Sequence, residues 1–274
     1  GIGGGGAQAA NNTGVDIRDV TVSGPGAGAS LTVHGTGGAG VQQFNHGVEL
    51  LFSNGRLLTS GGDIHVTGIA GTNGTNCSGI SFSSSASLSA GGDGNVTLHG
   101  TAGGTLNSHG LTLAANAISV AGSGDISLTG IGSGTGNGVF LSQGLSSAGG
   151  DITVHGTAGS SGAFGISGLG AVAAAGGDIS LTGITTGTGN NRNGLSFTQP
   201  ITTSGTGTIT LHGTASTGGQ GVGLNTTANI TTAGGSISLT GIGGSGGTST
   251  HSVGIRISNS AVVSGPAAGS NLTL

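Results

Sequence analysis

The chain predicts an all-β fold: a right-handed parallel β-helix (β-solenoid) of about nine coils, each 26–35 residues long and holding three short strands. Three observations predict it. One seven-residue motif recurs every 26 to 33 residues. Aliphatic and small polar residues alternate within each strand-length run, and 67 of the 274 residues are Gly. Residues 1–274 therefore read as one continuous solenoid segment.

The first strand of each coil is the most regular and serves as an anchor. In order it reads SLTVHGT, DIHVTGI, NVTLHGT, DISLTGI, DITVHGT, DISLTGI, TITLHGT and SISLTGI, and a ninth copy begins at NLTL. Its glycines are Gly35, Gly68, Gly100, Gly130, Gly156, Gly183, Gly213 and Gly241. A second strand opens with Gly and an aliphatic, as in GVEL from Gly47, GLTL from Gly110, GVFL from Gly138 and GVGL from Gly221. A third, weaker strand lies around Leu88, Ile118, Leu145, Val172, Ile201 and Ile230. It leads into the AGGD-type turn before the next anchor.

Hairpins would need two-residue turns and pairing inside each unit. Instead, like residues recur at like positions, as parallel stacking at about 4.8 Å per coil requires. Val33, Val66, Leu98, Leu128, Val154, Leu181, Leu211 and Leu239 then form one inward ladder. Ile64, Val96, Ile126, Ile152, Ile179, Ile209 and Ile237 form another, and Phe82 and Phe197 take inward positions as well. Glycines at corners are expected to supply the positive φ of a repeated sharp bend. Longer periods overlie the coil. The anchor alternates between His-Gly-Thr and Thr-Gly-Ile, and VSGPGAGASLTV from Val22 matches VSGPAAGSNLTL from Val263. That offset of 240 to 241 residues implies an eight-coil super-repeat in a longer array, with ends that continue or dock end to end.

Composition narrows function. Only 4% of residues are charged, the net charge is −4, and the four Arg (Arg18, Arg56, Arg192, Arg256) are scattered. Nucleic-acid binding needs clustered cations, and no apolar run is long enough to span a bilayer. Cys77 is the single cysteine, so no internal disulfide forms.

GGDISLTG and GGDITVHGT, recurring in a Gly/Ser/Thr/Asn background, resemble the giant bacterial β-strand-repeat surface proteins. These are similar in style to filamentous haemagglutinin-like adhesins and autotransporter passenger stalks. The resemblance covers nearly the whole chain and implies export to the bacterial surface or exterior, a β-helical rod, and roles in adhesion, sheath or matrix. It implies no catalytic residue.

Three rows carry candidate chemistry. Asp63, Asp93, Asp125, Asp151 and Asp178 each follow Gly in consecutive coils and are candidate Ca²⁺ ligands. Later coils hold Thr208 and Ser236 instead, which favours turn capping over metal binding. His34, His99, His155 and His212 alternate with Thr67, Thr129, Thr182 and Thr240, and read as an outward ladder of turn hydrogen-bonders. His46, His65, His109 and His251 break that pattern and read as loop residues. Thr32, His65, Thr97, Ser127, Thr153, Ser180, Thr210 and Ser238 form a mixed hydroxylic row suited to lateral packing of rods.

The expected function is a non-enzymatic structural rod or fibre segment that self-associates, with surface glycans as further partners and no resident cofactor. Two alternatives stay open: a carbohydrate-binding or carbohydrate-processing β-helix, and an ice-binding solenoid. Lys is absent and Phe is the sole aromatic, at six residues, which argues against catalysis and sugar stacking.

Overall fold

The computed structural model describes all residues except 6–7, 53–54, 83–84, 115–117, 163, 188–190, 217–220, 246–251 and 266–269. Its described residues form no helix and three nine-stranded sheets, each built from every third strand of the chain. All pairings between named strands are parallel, so the chain is a β-solenoid with three strands per coil. The anchor sheet runs from Leu31–Thr36 through Ile126–Ile131 and Ile179–Ile184 to Leu272–Thr273. The second sheet runs from Val15–Arg18 through Val48–Leu51 to Val253–Ile257, and the third from Thr21–Ala27 to Val263–Ser264.

Register follows the expected ladders. Leu128 pairs with Leu98 and Val154, and Ile126 with Val96 and Ile152, and all are buried. A row from the second strand, Leu50, Phe82, Leu113, Leu141, Gly168, Phe197 and Thr226, completes the interior. It fills by complementary size. A side chain at Gly168 would overlap the ring of Phe197 in the next coil, and Phe197 is 1% exposed. A protein interior tolerates little void, so a large residue beside a small one keeps the layer dense.

The anchor glycines differ from expectation in their purpose. They adopt no positive φ and are not corners; each lies within a strand, where a Cβ would overlap the carbonyl oxygen opening the second strand of the same coil. Gly68 faces Gly79, Gly100 faces Gly110, Gly130 faces Gly138 and Gly183 faces Gly194. The coil is thus pinched where two backbones touch, which only glycine on both sides allows. Positive φ is used instead at Gly28, Gly61 and Gly92, in the turn between third and anchor strands, and at Gly134 and Gly205. In the seventh full coil the opening glycine is Gly223, not Gly221: Gly213 faces Gly223, and Leu224 pairs with Leu195. The aliphatic ladder sets the strand position, and a Gly-aliphatic pair two residues early is passed over.

The ends occupy equivalent places in the coil. Ile17 and Ile257 lie in second strands, Val22 and Val263 in third strands, and Leu31 and Leu272 in anchor strands. Ile2, bridged to Thr36, occupies the same anchor row as Ile242, bridged to Thr214.

Substituting Gly183→Ala should lower stability by about 1–3 kcal/mol, as overpacking does. Gly176→Ala, where the nearest atom lies 4.0 Å from a new Cβ, should be neutral or stabilising by up to about 1 kcal/mol. Thermal unfolding of the two variants beside the parent chain measures the difference.

Candidate functional site

Two rows of side chains close onto the backbone of the next coil. In the first, each polar atom accepts the N–H of the equivalent residue one coil on. Asp63 Oδ1 accepts from Asn95 at 2.8 Å, Asn95 Oδ1 from Asp125 at 2.8 Å, and Asp125 Oδ1 from Asp151 at 2.8 Å. Asp151 Oδ1 accepts from Asp178 and Asp178 Oδ1 from Thr208, both at 2.7 Å. Ser30 and Ser236 do the same at 3.2 Å.

Asp93 is not in this row. Its place belongs to Asn95, because the residue immediately before the first inward aliphatic occupies the position, and GGDGNV inserts two residues there. Asp93 instead takes the N–H and hydroxyl of Ser123 at 3.0 and 2.8 Å. Those donors hold its carboxyl below the ordinary range, and the Asn95 N–H does the same for Asp63.

The His/Thr alternation is in register, His99 lying between Thr67 and Thr129, and His155 between Thr129 and Thr182. His34 and His212 close the pattern against Thr67, Thr182 and Thr240. It is a row within strands rather than in turns, because the glycine after each residue continues the strand through the pinch. In this row His212 Nε2 meets Thr214 Oγ1 at 3.3 Å. His65 likewise lies on a strand, 3.7 Å from Asp63, not in a loop. His251 lies outside the described residues. Cys77 is buried, its thiol donating to the Thr75 carbonyl at 3.3 Å, and burial pushes that thiol up.

The second row holds the site. His46, Ser78, His109 and Asn137 precede the second strands of four consecutive coils. His46 Nδ1 accepts the Ser78 N–H at 3.0 Å, and His109 Nδ1 accepts that of Asn137 at 2.8 Å. A neutral imidazole that accepts at Nδ1 carries its proton on Nε2. Burial lowers both groups from 6.5 to about 4, so both are neutral near pH 7. His46 Nε2 lies 3.5 Å from Glu49 Oε1. Glu49 is pushed from 4.5 to about 7 by burial first and by the Asp16 charge second, against the opposing pull of Arg18. Arg18 bridges Asp16 at 2.6 Å and Glu49 at 3.7 Å.

His46, Glu49, Ser78 and His109 border a groove of about 520 Å³ over the second sheet, within the range of small-molecule sites. Glu49, Ser81 and Thr112, paired in register, form its floor, and loop tips at Phe44, Asn76 and Asn107 form its wall. Sequence pattern alone left this site invisible. His46 and His109 lie outside the strands, as expected, but are buried or half-buried backbone acceptors. A His just before the second-strand glycine in two of three successive coils was the available signal.

Fold and groove together define a parallel β-solenoid with a shallow groove of mixed polar and apolar lining near one end of its second sheet. No protein-family profile matches the chain, and no curated protein or solved structure is similar to it. No helix among the described residues is long and apolar enough to cross a membrane.

Two outcomes follow. Asp151→Ala should lower stability by about 1 kcal/mol, the worth of one hydrogen bond. Asp151→Asn, which keeps the acceptor as Asn95 does, should cost less, and millimolar Ca²⁺ or EDTA should leave the unfolding midpoint of the parent chain unmoved. The second concerns pH. Between pH 4 and 6.5 the folded chain binds fewer protons at His46 and His109 than the unfolded chain. Their contribution is therefore full above pH 6.5 and lost as pH falls toward 4. Glu49 runs the other way, losing stability as pH rises from 4.5 through 7. Two imidazoles outweigh one carboxyl, so the unfolding midpoint should fall from pH 6.5 to 4.5. The double variant His46→Asn, His109→Asn should flatten that fall.

Proposed function

We propose that the chain is a non-enzymatic structural segment of a rod or fibre, exported to the bacterial surface or exterior, where it serves as stalk, sheath or matrix. The observation that carries this reading is coherent stacking at three periods. Like residues lie on like in every coil, the His/Thr alternation adds a two-coil period, and sequences 240 to 241 residues apart occupy equivalent coil positions. A solenoid of that kind gains stability from each neighbouring coil and so extends without a new core. Reach and durability, rather than a reacting centre, are what such a molecule provides.

Lateral contact has a candidate face in the anchor sheet. Its last row alternates Thr and Ile, and Ile69, Ile131 and Ile242 are each more than two-fifths exposed. Beyond the His/Thr row on the same face, the row of Thr, Ser and His65 is hydroxylic and largely uncharged. Self-association through ends or this face is part of the proposal.

Negative-stain microscopy and sedimentation of the recombinant chain across a concentration series test it. One copy should measure about 40 Å along its axis, from nine coils at the strand spacing. The expected result is a population of longer rods in multiples of that length, increasing with concentration. Isolated monomers at every concentration would remove the fibre proposal.

A further inference from the structure

The groove over the second sheet has no part in the stacking that makes a rod, and its construction is local to three coils. Its wall carries an anomaly. Asn11, Phe44, Asn76 and Asn107 occupy one row, each in the left-handed region, with φ of 57°, 62°, 54° and 47°. The row is held by backbone: Asn11 donates its N–H to Gln43, Phe44 to Thr75, and Asn76 to Leu106, at 3.0, 3.2 and 2.8 Å. Asn adopts this conformation readily and Phe does not. Nothing in the backbone calls for an aromatic at position 44, and the ring is not buried: Phe44 is 42% exposed, tilted 43° to the His46 ring at 5.9 Å. A strained residue that keeps a ring at a groove's mouth points to use of that ring.

Apart from Leu51, the remaining lining residues are polar and without formal positive charge. His109 Nδ1 is taken by backbone, which leaves Nε2–H as a donor. His109 also stacks on Phe140 at 5.7 Å, which orients its imidazole. Ser78 and Thr112 hydroxyls lie 3.1 Å apart, and Ser81 and Asn107 add a hydroxyl and an amide. An anion would meet the Glu49 carboxyl, and Arg18, outside the lining, is already engaged by Asp16 and Glu49. A purely apolar ligand would strand the hydroxyls and the imidazole donor. What remains is a neutral ligand with many hydroxyls and an apolar face. Donors and acceptors recur at the coil spacing of about 4.8 Å, comparable to the length of one pyranose ring.

The geometry points to a binding site for a short neutral oligosaccharide, lying across three coils with one sugar face on Phe44 and ring hydroxyls bonded to His109 Nε2, Ser81, Thr112 and Asn107. The site goes beyond the rod reading and does not depend on it, since a monomer would carry it intact.

The test is an array of neutral and acidic oligosaccharides probed with the recombinant chain, followed by titration of the best-retained neutral glycan against two variants. Phe44→Asn installs the residue of the flanking coils and should fold at least as well as the parent. His109→Asn keeps a backbone acceptor, as Asn137 does toward Phe164 at 3.2 Å, but loses the Nε2–H donor. Neutral glycans should be retained, and each variant should weaken binding by about tenfold with unfolding midpoints near the parent's at pH 7. Three results would overturn the proposal: no neutral glycan retained, retention of acidic glycans alone, or affinity unchanged in both variants. Because the readout is binding by a single chain, these results are independent of whether rods form.

Discussion

The coil closes at a point where its anchor strand and second strand bring their backbones into direct contact, with a glycine on each side. A Cβ on Gly68, Gly100, Gly130, Gly156, Gly183 or Gly213 would overlap a carbonyl oxygen of the facing strand. This contact sets how far the two sheets stand apart and hence how wide the interior is. A narrow interior is filled by Val, Leu, Ile and two buried Phe, with Gly168 yielding space to Phe197. The interior takes two Phe as its largest side chains, and the chain of 274 residues has no Trp or Tyr.

Parallel stacking then transfers each constraint to the next coil. A polar atom on one coil finds the backbone N–H of the following coil at the same height, whether it belongs to Asp, Asn, Ser or His. One geometric rule therefore serves residues of different charge. It explains why the corner row exchanges Asp for Asn and Ser without losing its form. It also explains why two histidines occur beneath a groove: their Nδ1 atoms meet a backbone requirement, and their Nε2 atoms are left for other partners.

The groove is the place where this economy is broken. Glu49 is buried beside Asp16 rather than facing solvent, and Phe44 holds a conformation suited to Asn. Local sequence preference and fold disagree at both residues, and such disagreements concentrate at functional sites.

The sequence by itself determined the coil, the three strands, the inward ladders and the two-coil His/Thr alternation, because parallel in-register stacking writes each structural row as a recurring residue type. His99 above Thr67, Leu128 above Leu98 and Phe82 in the interior were all readable from spacing. Tertiary structure decided the rest. The anchor glycines could not be assigned to a pinch rather than a corner until the facing strand was in place, since both uses select the same residue. Asn95 displaced Asp93 because position is counted from the buried aliphatic, not from the preceding glycines. The groove joins residues from Phe44 to Thr112, tens of positions apart in sequence. It emerges only when three coils are stacked, burial removes charge from two imidazoles, and a strained Phe is left facing outward.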